Sequence, residues 1–127
     1  MAQENQIRRG EVYSIFLDPC FGREIGGYKA RPVVVVSIEV FHQRSRIVAV
    51  VPGTTTEPWS ATSYVVAIDP QKNNGLTQRT FFQCHQIRAI DQGRMTRRAD
   101  GRLSESDFRK VEAAVWTTLG VPDRALT

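Results

Sequence analysis

Arg31-Pro32-Val33-Val34-Val35-Val36-Ser37-Ile38 is the stretch on which the reading of this chain turns. It is a continuous β-branched run with neither a two-residue nor a helical period. Such a run reads as a central strand buried on both faces, and a proline is tolerated at a strand's first position. Working outward, Glu11–Leu17 alternates Val12, Ser14 and Phe16 against Tyr13, Ile15 and Leu17, and Asp18-Pro19 ends it. Arg46–Pro52 is a second buried strand and Ser63–Ile68 a third. Leu76–Ile90, rich in Thr, Phe and Ile, is one bent strand or two. The connections read as loops. Residues 20–30 hold three glycines and no apolar period, which predicts a mobile loop. Residues 39–45 make a short link of about one helical turn. Residues 53–63 are polar, with Thr54, Thr55 and Thr56 in a row, and Asp69–Leu76 is a turn built on Pro70, Asn73, Asn74 and Gly75.

The period changes near the C-terminus. Ser104 is an N-cap with Asp107 three residues on, and Leu103 is placed to staple onto Phe108. Phe108, Val111, Val115 and Leu119 recur at helical spacing, and Gly120 and Pro122 stop the helix. Strands that follow one another without intervening helices argue for antiparallel pairing. The expectation is one domain over residues 1–127: a small mainly-β sheet or barrel closed by a helix over about 104–119, with residues 1–8 frayed.

Composition narrows the function. The 127 residues are 41% hydrophobic, enough for a core. The net charge is +4, with fourteen Arg and three Lys making up the bases. Residues 79–102 alone hold six arginines against two aspartates, so this segment carries the whole imbalance. Apolar runs such as Val33–Val36 are a handful of residues long, far short of the ~20 that span a bilayer. The opening MAQENQIRR lacks a signal-peptide core, so a cytoplasmic location with no membrane partner is expected. Cys20 and Cys84 lie far apart and read as reduced thiols. With two His and two Cys at unrelated spacings there is no metal template. GxxxxGK[ST] and GxGxxG are absent, so no nucleotide or other cofactor is expected.

Several phrases in order are familiar: Arg9-Gly10-Glu11-Val12-Tyr13, Leu17-Asp18-Pro19, Gly22-x-Glu24, Arg31-Pro32-Val33-Val34-Val35-Val36-Ser37, Val50-Val51-Pro52-Gly53-Thr54-Thr55, Cys84-x-Gln86-Ile87-Arg88-Ala89-Ile90-Asp91 and Gly101-Arg102-Leu103-Ser104. Together, over about residues 8–120, they resemble the MazF/PemK toxin family of type II toxin–antitoxin systems. The resemblance implies an SH3-like antiparallel barrel of the CcdB/MazF type with a C-terminal helix, assembled as a homodimer. It implies a sequence-specific, metal-independent endoribonuclease cutting single-stranded mRNA through the 2′-hydroxyl, leaving 2′,3′-cyclic phosphate and 5′-hydroxyl ends. An acidic, MazE-like antitoxin would block the groove.

Such a cut requires a base, an acid and charge stabilisation at phosphorus. Arg31 matches the family's catalytic Arg-Pro arginine, and its guanidinium fork fits phosphate oxygens; it could instead bond carbonyls of the glycine loop. Thr54 matches the Pro-x-Thr position as a phosphate donor, with Thr55 or Thr56 able to substitute, or it satisfies its own turn. Glu24 matches Gly-x-Glu and could orient Arg31 or move a proton, while Arg23 reads as a phosphate contact. His85 departs from the family's Cys-Asp-Gln, and Gln83 stands where some members carry an arginine acid. His85 titrates near neutrality and could replace the missing base, or it bonds neighbouring loops. Gln83, Gln86, Arg88, Arg94, Arg97 and Arg98, with Thr55, are further RNA-contact positions, and Arg102 adds to the basic segment. Trp59 is the base-stacking aromatic of a polar loop; Phe81, Phe82 and Cys84 read as core, Trp116 as packed or at a dimer contact, and His42 as surface. Three rivals stand beside the ribonuclease: a catalytically weak RNA- or antitoxin-binding relative, a CcdB-like gyrase poison, and a peptide-binding barrel. CcdB-type poisoning relies on a C-terminal Trp-Gly-Ile, and this chain ends Ala125-Leu126-Thr127.

Overall fold

The computed structural model describes residues 6–58 and 62–122. Among these described residues seven strands run as β1 (Glu11–Ile15), β2 (Arg31–Val35), β3 (Ile47–Thr54), β4 (Val65–Ile68), β5 (Thr80–Gln83), β6 (Arg88–Asp91) and β7 (Gly101–Arg102). Helix α1 (Glu39–Ser45) links β2 to β3, and α2 (Glu105–Leu119) closes the fold. Every pairing is antiparallel, in the order β4-β5-β3-β2-β1-β7, with β6 also on β3. The sheet curls into a half-barrel with a C-terminal helix, the architecture the resemblance implies.

The valine run explains the curl. Val33, Val34 and Val35 are fully buried, yet Val34 joins one apolar cluster and its two neighbours another. A strand's side chains alternate between faces, so β2 feeds two cores. One core includes Val34, Val51, Phe82, Phe108 and Val111 and lies under α2. The other includes Tyr13, Leu17, Val33, Val50 and Ile90, enclosed by the curl.

Helix α2 begins as its sequence predicts. The Ser104 hydroxyl oxygen accepts the Asp107 N–H at 3.1 Å. Gly120, at φ +76°, ends it by a left-handed turn whose N–H bonds the Thr117 carbonyl. Phe108, Val111 and Val115 are buried, but Leu119 is exposed, and Ala114 joins the buried face instead.

Other expectations resolve or change. For Leu76–Ile90, read as one bent strand or two, the second alternative holds: β5 and β6 both lie on β3, separated by a 3₁₀ turn at Cys84–Gln86. Cys84 is buried as expected, but this turn rather than strand alternation separates it from exposed His85. His42 is no surface residue: it is 2% exposed, with Nδ1 3.0 Å from the Ile7 carbonyl and Nε2 2.6 Å from the Ser37 hydroxyl. Ile7 is itself buried, so the packed structure reaches into the stretch read as frayed. Both cysteines are free, and burial pushes the Cys84 thiol up to about 12. No helix among the described residues is long and apolar enough to cross a membrane.

Candidate active site

The β2–β3 register builds the site. Val33 pairs with Pro52, so Arg31 and Thr54 lie two residues further along neighbouring strands, opposite one another at one end of the sheet. Paired residues of antiparallel strands share a face. The two residues line a solvent-open cleft of about 530 Å³ with Arg23, Glu24, Thr56, Glu57, Gln83 and Gln86.

Arg31 is anchored at one nitrogen. Its Nε donates to the Gly26 carbonyl at 2.9 Å. That is the loop-carbonyl bond open to it from sequence, and it engages one edge of the guanidinium only. Among the described residues neither Nη atom has a hydrogen-bond partner, leaving the rest of the fork for an anion. The Thr54 hydroxyl oxygen accepts the Thr56 N–H at 3.1 Å, a local turn that leaves its own hydrogen to donate. Glu24 Oε1 accepts the Phe21 N–H at 2.8 Å, leaving Oε2 for other work. No hydrogen bond joins Glu24 to Arg31 among the described residues.

The loop before β2, read as mobile from its glycines, carries several tethers. Asp18 Oδ1 accepts the Gly27 N–H at 2.9 Å, and the Cys20 thiol lies 3.1 Å from the Leu17 carbonyl and 3.2 Å from that of Ile25. Gln86 Oε1 accepts the Ile25 N–H at 2.7 Å, and its Nε2 donates to the Arg23 carbonyl at 3.2 Å and to Gln83 Oε1 at 3.4 Å. Gln86 is therefore a tether between the 3₁₀ turn and the loop. Its amide groups already have protein partners, so direct RNA contact is not their arrangement here.

His85 does not line this cleft. It borders an adjoining hollow of about 600 Å³, with Pro52, Ile87, Ile25 and Arg88, that shares the Arg23–Ile25 rim and Gln86. Its ring centroid lies 4.3 Å from that of Tyr64 at an interplanar angle of 59°. Burial holds its pKa below the ordinary value, favouring the neutral ring.

The basic segment disperses. Arg88 Nη1 donates to the Leu17 carbonyl at 3.1 Å and approaches the Cys20 sulfur at 3.4 Å. Arg94 Nη1 donates to the Phe16 and Asp18 carbonyls, each at 2.8 Å. Both brace the site loop instead of offering their whole guanidinium to RNA. Arg79 pairs with Asp69 at 3.2 Å. Arg97 and Arg98 are exposed but line neither hollow, and exposed Thr55 lines neither either. Phe81 and Phe82 are core and Trp116 is half-buried, while Trp59 falls outside the described residues. Glu57 is the cleft residue that sequence reading missed; only its closeness to Thr54 in a polar loop could have marked it. Among the described residues no group of three His, Cys, Asp or Glu side chains converges as a metal-ligand set.

Fold and site define a small curled half-barrel with an arginine and a threonine facing each other across adjacent strand ends. Residues 8–119 match the family model described as PemK-like, MazF-like toxin of type II toxin–antitoxin system, and the chain belongs to that family. It is 31% identical over 90 residues to Endoribonuclease PemK of Escherichia coli, an alignment spanning 70% of this chain and 64% of that protein's length. A mycobacterial endoribonuclease solved in complex with its cognate antitoxin aligns at 25% identity with a TM-score of 0.72, over 91% of this chain and 97% of that one. The Mycobacterium tuberculosis toxin MazF-mt6 aligns at 25% identity and a TM-score of 0.68, over 88% and 98%.

Proposed function

We propose that this chain is the toxin of a type II toxin–antitoxin pair and an endoribonuclease that cuts single-stranded mRNA at a defined sequence. The observation that carries the reading is Arg31 facing Thr54 across β2 and β3, with its Nη atoms turned to no protein partner among the described residues. A phosphodiester seated there receives two guanidinium donors and the Thr54 hydroxyl. Those donors are worth most as charge builds on the phosphoryl oxygens. The RNA 2′-oxygen attacks phosphorus, its proton passes to a base, and the bond to the 5′ oxygen breaks as that oxygen gains a proton. The ends are a 2′,3′-cyclic phosphate and a 5′-hydroxyl. Arg31 supplies the positive charge that a metal otherwise would, so the scheme runs without one. In this scheme Glu24 takes the 2′ proton, a role supported by its unengaged Oε2 at the cleft rim.

The protein works in the cytoplasm as a homodimer, and an acidic antitoxin segment occupies the cleft in the resting pair. The basic balance of the chain, +4 overall, supports attraction for both RNA and that segment.

The test is purified protein acting on a varied set of single-stranded RNAs in EDTA, with the 5′ ends of the fragments sequenced. Cutting at a recurring motif is expected. Arg31→Ala lowers the rate roughly 100- to 1,000-fold with the fold intact. Full activity in Arg31→Ala would remove Arg31 from the mechanism, and no cutting by the parent would leave a binding protein.

A further inference from the structure

We propose that His85 is a base-reading residue, and that the hollow it borders takes the nucleobase next to the phosphate held by Arg31 and Thr54. This rests on the ribonuclease reading above and deepens it. The chemistry of the lining differs between the two hollows. The Arg31 cleft is edged by charged and amide side chains. The neighbouring hollow is floored by Pro52, Ile87 and Ile25 and edged by His85 and Arg88. An apolar floor with a few polar groups at its edge is how sites for flat heterocycles are built, and about 600 Å³ falls in the usual size range for one.

The two hollows share Arg23, Glu24, Ile25 and Gln86, so a strand with its phosphate at Arg31 has its next base at this opening. His85 is the one aromatic side chain bordering either hollow among the described residues. Tyr64 lies against it at 4.3 Å without lining the hollow, so it braces the imidazole from outside. A braced aromatic edge suits stacking, the main way single-stranded RNA bases are held. The neutral ring offers one donor and one acceptor for the base edge. A carboxylate at this position would provide neither a stacking face nor a donor.

The experiment is selection from a randomised pool of 2′-fluoro oligonucleotides, which lack the attacking 2′-hydroxyl and so report binding without cutting. The parent is expected to enrich one base at a fixed position. His85→Ala is expected to flatten the preference there and weaken affinity roughly tenfold. His85→Phe keeps stacking and is expected to hold affinity within about threefold while changing which base is preferred. An unchanged preference in His85→Ala overturns the proposal, as does a parent that binds the pool without base preference. Cleavage of unmodified RNA by the parent is scored separately. A protein that selects a base through His85 but does not cut supports base reading and refutes the nuclease, whereas one that cuts with identical preference in both variants does the reverse.

Discussion

Gln86 clamps the loop that carries Arg23 and Glu24 by accepting the Ile25 N–H at 2.7 Å, while its own amide donates to the Arg23 carbonyl at 3.2 Å. One side chain thus fixes both ends of a three-residue stretch against the 3₁₀ turn. Gln86→Ala leaves the Ile25 N–H unsatisfied in a half-buried place, at a cost of about 1–3 kcal/mol. The larger effect falls on activity. Because the loop also presents the Gly26 carbonyl to Arg31, kcat should drop roughly tenfold or more, with KM moving less. Steady-state kinetics alongside thermal melting checks this; a fall in melting temperature with an unchanged kcat would make Gln86 merely structural.

Gly26 is the tightest point of the same loop. A Cβ built there meets the Cys20 sulfur at 2.5 Å and Asp18 Oδ1 at 2.7 Å. Gly26→Ala must push the loop away from both, destabilising by about 1–3 kcal/mol and displacing the carbonyl that holds Arg31. Cutting should be largely lost. Cys20→Ala in the same chain removes the nearer obstacle and should restore part of the rate. A Gly26→Ala variant with parent activity would show that the loop has slack and that Arg31 needs no carbonyl to aim it.

Much of this was open to reading in the sequence, and what was not shares a cause. The valine run and the capped C-terminal helix depend on local pattern, so Val33–Val35 and Ser104 could be placed without any partner. Arg31 and Thr54 could be singled out because one opens a strand and the other closes one, in the family's Arg-Pro and Pro-x-Thr phrases. Misreadings arose where a side chain's fate is set by distant backbone. His42 is buried because the Ile7 carbonyl and Ser37 come to meet it. Arg88 and Arg94 read as RNA contacts, with no sign in the sequence that carbonyls of residues 16–18, some seventy positions earlier, occupy one nitrogen of each. The glycine loop reads as mobile from sequence because its Gln86 tether lies far along the chain and its Asp18 and Cys20 contacts follow no local pattern.

Ser104 gives a stability change that should leave the site alone. Its hydroxyl oxygen accepts the Asp107 N–H at the start of α2, which covers the core containing Phe82 and Val111. Ser104→Ala removes that cap for about 1 kcal/mol, a fall in melting temperature of about 3–5 °C for a chain of this size. RNA cutting below the transition should match the parent. A matching melting temperature would show that the cap is replaced by water at no cost.

The pH response separates His85 from Glu24. Burial keeps the folded His85 pKa below its ordinary 6.5, so the unfolded chain takes up this proton more readily. By linkage the stability tied to His85 is fully present above about 6.5 and is lost as pH falls from there toward the lower folded value. His85→Phe should flatten this part of the stability profile. The cleavage profile should behave differently. If Glu24 takes the 2′ proton, the loss of rate at acid pH survives in His85→Phe and disappears in Glu24→Gln, together with most of the rate. An acid limb that vanishes in His85→Phe instead would make the imidazole the proton acceptor, placing the reacting 2′-oxygen in the hollow beside Tyr64.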